Sequence, residues 1–227
     1  FRSNGDLLWD HRDFRAHNDS SDFGDIDCDG QRDLAIATSG KSAALKTDGT
    51  VLWRGVENHS QHITIGSFQA GRCEKQVATI DRDPSGSGIL RLYSHQGKIL
   101  WESGEHGPKA MMTRVDDWIP QVKESLILVF RSFSHPPTFY DGSGAVVGRL
   151  PFPPAIARGK GDVSYLKHYL QHFDLNNDGK EEILVYNERA LWVYGNAAAV
   201  VGTFEEKQSQ ALPNPRIFNA TFYMGMQ

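Results

Sequence analysis

The chain has 227 residues, with 24 basic and 28 acidic side chains and a net charge of −4. That length fits one domain or two small ones, and that charge excludes a strongly basic binder of nucleic acid or anionic membrane. With 39% hydrophobic residues, 11% aromatics, 22 Gly and 10 Pro, the composition is that of a turn-rich β fold and not of a disordered chain. The richest apolar run, Leu126 to Phe130, is of strand length and far short of a bilayer span, so no membrane partner is expected. Phe1 is not an initiator Met, and no signal-like start follows it. The expectation is a mature, trimmed or partial chain.

A phrase recurs along the chain. It reads Asn4-Gly5-Asp6-Leu7-Leu8-Trp9, then Asp48-Gly49-Thr50-Val51-Leu52-Trp53, then Gln96-Gly97-Lys98-Ile99-Leu100-Trp101, with a weaker copy at 142–148. The Trp residues are 44 and 48 positions apart. Short strands at 43–45, 90–93 and 138–140 precede the later copies, so each pair reads as a hairpin. A second hairpin fills the first half of each unit: 22–25 with 33–37, 63–68 with 76–80, 112–115 with 126–130, and 170–173 with 182–186. Four short strands in about 45 residues is the size of a propeller blade. The fold class is therefore all-β, a β-propeller with four four-stranded blades at about 16–53, 59–101, 106–149 and 165–203. Residues 1–9 are expected as the outer strand of a further blade, and the apolar tail 204–227 as a closing segment. Four blades and a remnant suggest the C-terminal part of a larger ring, or a ring completed by blades from another chain.

Two turns have the spacing of calcium loops. Asp25-Ile26-Asp27-Cys28-Asp29-Gly30-Gln31-Arg32-Asp33 reads D-x-D-x-D-G-x-x-D. Asp174-Leu175-Asn176-Asn177-Asp178-Gly179-Lys180-Glu181-Glu182 repeats it with Asn and Glu substituted. Alternating hard oxygens can wrap a Ca²⁺ while Gly allows the sharp turn. The expected ligands are Asp25, Asp27, Asp29, the carbonyl of Gln31 and Asp33, and then Asp174, Asn176, Asp178, the carbonyl of Lys180 and Glu182. β-Runs flank both turns, which excludes an EF-hand, and the expected role is structural.

Histidines recur at one blade position. Aligning Gly24 with Gly66 aligns His17 with His59, and His106 falls within about one residue of the same place. Three imidazoles are thus expected around one mouth of the central channel, opposite the acidic turns. Histidine titrates near neutrality, so these could act as acid and base, and three imidazoles can also hold Zn²⁺.

The Trp-ending blades, the acidic turns and the histidines ahead of inner strands resemble the β-propeller polysaccharide lyases, a group that includes rhamnogalacturonan, ulvan and rhamnosyl-glucuronate lyases. The ending Phe218-Asn219-Ala220-Thr221-Phe222-Tyr223-Met224-Gly225-Met226 is similar to the rhamnogalacturonan-lyase type. The acidic turns resemble those of FG-GAP blades, and the likeness to the lyases implies that this chain is the C-terminal part of a seven- or eight-bladed ring. The resemblance implies cleavage of an acidic, uronate-containing glycan by β-elimination, with His17, His59 and His106 as acid and base. Asn18, His62, Arg158 and Tyr165 are the expected substrate contacts; Arg158 could neutralise the uronate carboxylate and Tyr165 could serve as an alternative acid or base. The competing class is a non-catalytic FG-GAP propeller, a lectin or adhesion module stiffened by Ca²⁺. Calcium turns point to secretion, and sequons stand at Asn18, Asn58 and Asn219. Cys28 and Cys73 fall in equivalent turns, and two separate thiols are expected in preference to a disulfide.

Overall fold

A computed structural model describes residues 3–12, 14, 17–82, 88–104, 106, 110–119, 122–131, 135–150, 169–186 and 191–195. Among these there is no helix, and the strands form four antiparallel sheets in chain order. The first sheet holds β1 (Asn18–Gly24), β2 (Asp33–Thr38), β3 (Ala43–Leu45) and β4 (Val51–Arg54). The second holds β5 (Ser60–Gly66), β6 (Gln76–Asp81), β7 (Ile89–Tyr93) and β8 (Ile99–Ser103). The third holds β9 (Ala110–Val115), β10 (Leu126–Arg131), β11 (His135–Tyr140) and β12 (Val146–Arg149), and the fourth β13 (Tyr169–Phe173), β14 (Glu182–Tyr186) and β15 (Leu191–Tyr194). Each sheet is a simple meander, the blade of a propeller-like array.

The recurring phrase has a physical reason. Gly49, Gly97 and Gly144 close the outer hairpins with φ of 89°, 78° and 85°, a region that side chains with a Cβ rarely enter. Each also lies beneath a Trp from the preceding phrase. A Cβ on Gly49 would stand 2.7 Å from the Trp9 ring, one on Gly97 2.6 Å from Trp53, and one on Gly144 3.0 Å from Trp101. The indoles of Trp9 and Trp101 donate to the carbonyls of Thr47 and Gly142 at 2.8 and 3.0 Å. Trp and Gly therefore recur together because one phrase packs on the next. Residues 3–12 form no strand among the described residues, yet Trp9 takes the same seat as its two successors.

Three apolar clusters hold the blades face to face. Ala35, Ala37 and Trp53 of the first blade meet Ile63, Ile65, Val77 and Tyr93 of the second. Ala78, Ile80, Leu90 and Leu92 face Met112, Ile127 and Val129 of the third. Leu126, Leu128 and Phe130 face Ile183 and Val185 of the fourth. Val77 points one way and Ala78 the other, and Ile127 and Leu128 do the same. This is the two-residue period of a strand buried on both faces. The inner strands β1, β5 and β9 also run beside one another, which brings equivalent ends of successive blades together.

That adjacency overturns the expectation of two free thiols. Cys28 and Cys73 occupy neighbouring turns with their Cα atoms 5.6 Å apart and form a disulfide. The Lys75 amide also donates to the Ile26 carbonyl at 2.9 Å, so the two turns are stitched through backbone as well as sulfur.

Candidate functional site

The inner strands have two ends, and the chemistry gathers at both. The acidic turns lie at the end of β1 and β13, and their conformations agree position by position. Cys28 and Asn177 have φ of 64° and 62°, and Gly30 and Gly179 both have 85°. Asp25 accepts from the amides of Asp29 and Gly30 at 3.1 and 3.0 Å. Asp174 accepts from Asp178 and Gly179 at 3.0 and 2.8 Å. Asp33 accepts from the Ile26 amide at 2.9 Å and Glu182 from the Leu175 amide at 2.8 Å. The carboxylates thus shape the turn, and both oxygens of Asp25 and of Asp174 already accept from backbone amides.

In the first turn Asp25, Asp27 and Asp29 bring carboxylate oxygens within 4.8 Å of one another, a donor set that suits Ca²⁺, and Asp27 Oδ1 and Asp33 Oδ1 are buried without a hydrogen bond. The first turn already has a tethered cation. The Lys46 ammonium lies 2.5 Å from Asp27, 2.7 Å from Asp29 and 3.5 Å from Asp33. These carboxylates raise the Lys46 pKa in spite of partial burial, and Lys46 holds Asp29 below the usual carboxylate range. Burial works the other way on Asp33 and raises it. The strand pairing of Leu34 with Leu45 matches that of Ile183 with Tyr194, so Gly195 stands in the fourth blade where Lys46 stands in the first. The second turn has no such lysine at that position.

At the opposite end, two of the three expected histidines meet. Asn18 pairs with Thr38 in the first blade and Ser60 with Asp81 in the second, and each pairing is followed by a bulge. The carbonyl of His17 accepts from the Ser39 amide at 2.9 Å, and that of His59 from the Arg82 amide at 2.7 Å. The two histidines are therefore structural equivalents. The bulge residue in the first blade is Asp19, and it aims its carboxylate between them. Asp19 Oδ1 is 3.1 Å from His17 Nε2, and Asp19 Oδ2 is 3.5 Å from His59 Nε2. The imidazole centroids are 5.7 Å apart. The Asp19 side chain is 2% exposed, against 25% for His59 and 59% for His17.

His106 does not join them. In the third blade Ala110 pairs with Arg131 at the place where Ser60 pairs with Asp81, and no bulge separates that pair from the rest of β9 and β10. The equivalent of His59 is then position 109, and His106 lies three residues upstream. Its ring packs on Tyr140 and its Nε2 is 3.3 Å from Ser103 Oγ. His62 also departs from the rim position expected of it. It is buried in β5, and desolvation lowers its pKa to about 4, so it is a neutral imidazole in the interior. Asn18 is exposed beside His17, and its side-chain amide can donate to the Ser20 and Ala37 carbonyls at 2.9 Å each. Arg158, Tyr165 and the tail 204–227 lie outside the described residues.

Sequence reasoning missed Asp19, Lys46 and a cluster around His172. His172 Nδ1 is 2.6 Å from Glu181 Oε2 and its Nε2 is 2.9 Å from Thr113 Oγ1, which ties the fourth blade to the third. The signal for Asp19 was present: it lies two residues past His17, in the stretch before Gly24 that is as long as the one from His59 to Gly66. A cleft of about 420 Å³ opens at the acidic-turn end, lined by Lys75, Arg114, Lys123, Asp116 and Asp117 among others. Two of its cations are engaged: Lys75 donates to Ser67, and Arg114 to the Ile65 carbonyl and Asp116.

Scanned against protein-family profiles and curated protein sequences, the chain gives no match. Its fold is similar to that of the rhamnogalacturonan lyase YesW, with a TM-score of 0.52 at 18% identity over 74% of this chain and 40% of the lyase. The exotype rhamnogalacturonan lyase YesX gives 0.50 at 17% identity, over 74% and 39%. The V. cholerae biofilm matrix protein Bap1 gives 0.52 at 11% identity, over 84% and 55%. The chain thus has a lyase-like β fold and spans about two fifths of the length of the lyases it resembles. At these identities the likeness is one of architecture, and the same architecture serves a matrix protein.

Proposed function

We propose that this chain forms part of a polysaccharide lyase that cleaves a uronate-containing glycan by β-elimination, with His17 and His59 as its acid–base pair. The observation that carries this reading is the meeting of two imidazoles from adjacent blades on one buried carboxylate, at the rim of a fold shared with rhamnogalacturonan lyases. Elimination removes the C5 proton of the uronate, forms the C4–C5 double bond and expels the sugar on O4. An imidazole can take that proton only if it is neutral and held in one tautomer. Asp19 supplies the hold by accepting the Nε2 proton of His17, which leaves the Nδ1 lone pair as base. The second imidazole, protonated, delivers a proton to the departing oxygen. The carboxylate of the sugar must be neutralised for C5 to become acidic, and Arg158 remains the candidate for that role, with Tyr165 as the alternative acid or base.

Ca²⁺ in this reading is a pin. In the fourth blade Asp174, Asn176, Asp178, Glu182 and the Lys180 carbonyl would hold it. In the first blade Asp25, Asp27, Asp29, Asp33 and the Gln31 carbonyl would do so in competition with Lys46. The ion would fix the turns without entering the reaction. The disulfide supports secretion, because such bonds persist in oxidising compartments. The likeness to Bap1 favours one other reading, a propeller that binds glycan without cleaving it.

Incubating the protein with rhamnogalacturonan-type or glucuronate-containing glycans should raise the ultraviolet absorbance of an unsaturated uronate. Binding of the same glycans with no rise would select the adhesion reading instead.

A further inference from the structure

We infer that His17, Asp19 and His59 form a binding site for a first-row divalent transition metal, with Zn²⁺ the natural occupant, and that the metal silences the acid–base pair when it binds. The metal site rests on the geometry alone; only its inhibitory consequence rests on the lyase reading.

Three donor atoms converge here, all within 4.8 Å of one another. Two of them are stranded. Asp19 Oδ2 and His59 Nε2 are buried and face each other at 3.5 Å, and neither has a hydrogen-bond partner. Buried polar atoms are satisfied in the great majority of cases, so this facing pair points to a ligand. The spacing fits one. Zinc bonds of about 2.0–2.2 Å in tetrahedral array place neighbouring ligand atoms about 3.3–3.6 Å apart; here Asp19 offers one oxygen to each imidazole, Oδ1 at 3.1 Å from His17 and Oδ2 at 3.5 Å from His59, so an ion between the rings can be met by either oxygen.

The donor set chooses the metal. Two imidazoles and one carboxylate suit zinc and its neighbours, whereas the all-oxygen turns at the other end suit Ca²⁺. The frame is rigid: the backbone of His17 is bonded to Ser39, and that of His59 to both Asp81 and Arg82. Three protein ligands leave a fourth position, and His17 is the most exposed of the three. With Nε2 of both rings on the metal, neither imidazole can cycle a proton through the tautomer that Asp19 maintains, so turnover stops.

The test uses the full protein saturated with Ca²⁺, so that the oxygen sites are filled, and titrates Zn²⁺ by calorimetry and Co²⁺ by visible absorption. One Zn²⁺ per chain is expected, with tetrahedral cobalt bands. His17→Ala, at an exposed position that the fold does not need, should weaken zinc binding more than about 100-fold, beyond the 10–100-fold typical of outer-sphere changes. His59→Ala should do the same. Unchanged zinc binding in both variants overturns the site. Zinc binding that is lost in both, in a protein with no lyase activity at any metal level, retains the site and removes the lyase reading.

Discussion

The two ends of the inner strands pose one problem and answer it with different atoms. At the turn end the open, buried atoms are carboxylate oxygens, Asp27 Oδ1 and Asp33 Oδ1. At the histidine end an imidazole nitrogen, His59 Nε2, stands opposite the Asp19 oxygen. Oxygens alone call for a hard cation, which the first turn partly supplies from Lys46. Nitrogen with oxygen calls for a proton or a transition metal. The turn end also carries the disulfide, so its substitutions should register in stability, while substitutions at the histidine end should register in chemistry.

The largest expected effect lies at the histidine end. His17→Ala and His59→Ala should each lower lyase turnover about 10²–10⁴-fold, the usual contribution of a positioned acid or base, with melting nearly unchanged. His106→Ala should keep near-wild-type turnover, because its ring rests on Tyr140 and not on Asp19. Steady-state rates beside thermal melts check all three. Equal losses in His106→Ala would dissolve the distinction between the pair and the third histidine.

Next comes the disulfide. A bond closing 45 residues removes about 4 kcal/mol of unfolded-state entropy. Cys28→Ser with Cys73→Ser should therefore lose most of that in denaturant titrations while sparing turnover. A loss of turnover without a loss of stability would place the bond at the wrong end of the comparison.

His62 should give a smaller effect that depends on pH. Its folded pKa of about 4 lies below the ordinary 6.5, so the unfolded chain binds the proton first. Stability is then full above about pH 6.5 and falls as the pH drops towards 4, by roughly 3 kcal/mol at the limit. His62→Gln should flatten that segment of the stability profile, and an unaltered slope would show that His62 is not its source.

The smallest effect belongs to Lys46. Lys46→Met should shift melting without calcium by about 2 °C at most, since its ion pairs are partly screened. It should enlarge the stabilisation that added Ca²⁺ gives, because the ion no longer competes with a tethered ammonium. Asp178→Asn in the second turn, where Gly195 stands in place of Lys46, should reduce that stabilisation instead. Equal responses in the two variants would make the turns equivalent after all.

Much of the fold was legible because the phrase ending in Trp9, Trp53 and Trp101 records a contact: each indole sits on the hairpin of the next blade. The pair His17 and His59 was legible for the same reason, since equal distances to Gly24 and Gly66 mean equal places in the blade. His106 was misplaced because the ladder puts the equivalent of His59 at position 109, and the missing bulge accounts for only one of the three residues between them. Asp19 was overlooked because its direction comes from that same bulge. Lys46 was overlooked because it reaches the acidic turn from a different hairpin. The disulfide was misjudged because its span depends on how closely successive turns stack, which the chain order alone does not measure.

We propose that the histidine end breaks a glycan by elimination. Mass spectrometry of the fragments released from a rhamnogalacturonan-type or glucuronate-containing glycan tests it most directly. Elimination predicts a new non-reducing end lighter by one water than the hydrolysis product, formed by the wild-type protein and lost in His59→Ala. Fragments of hydrolytic mass, or intact glycan recovered from a protein that binds it, would contradict the account.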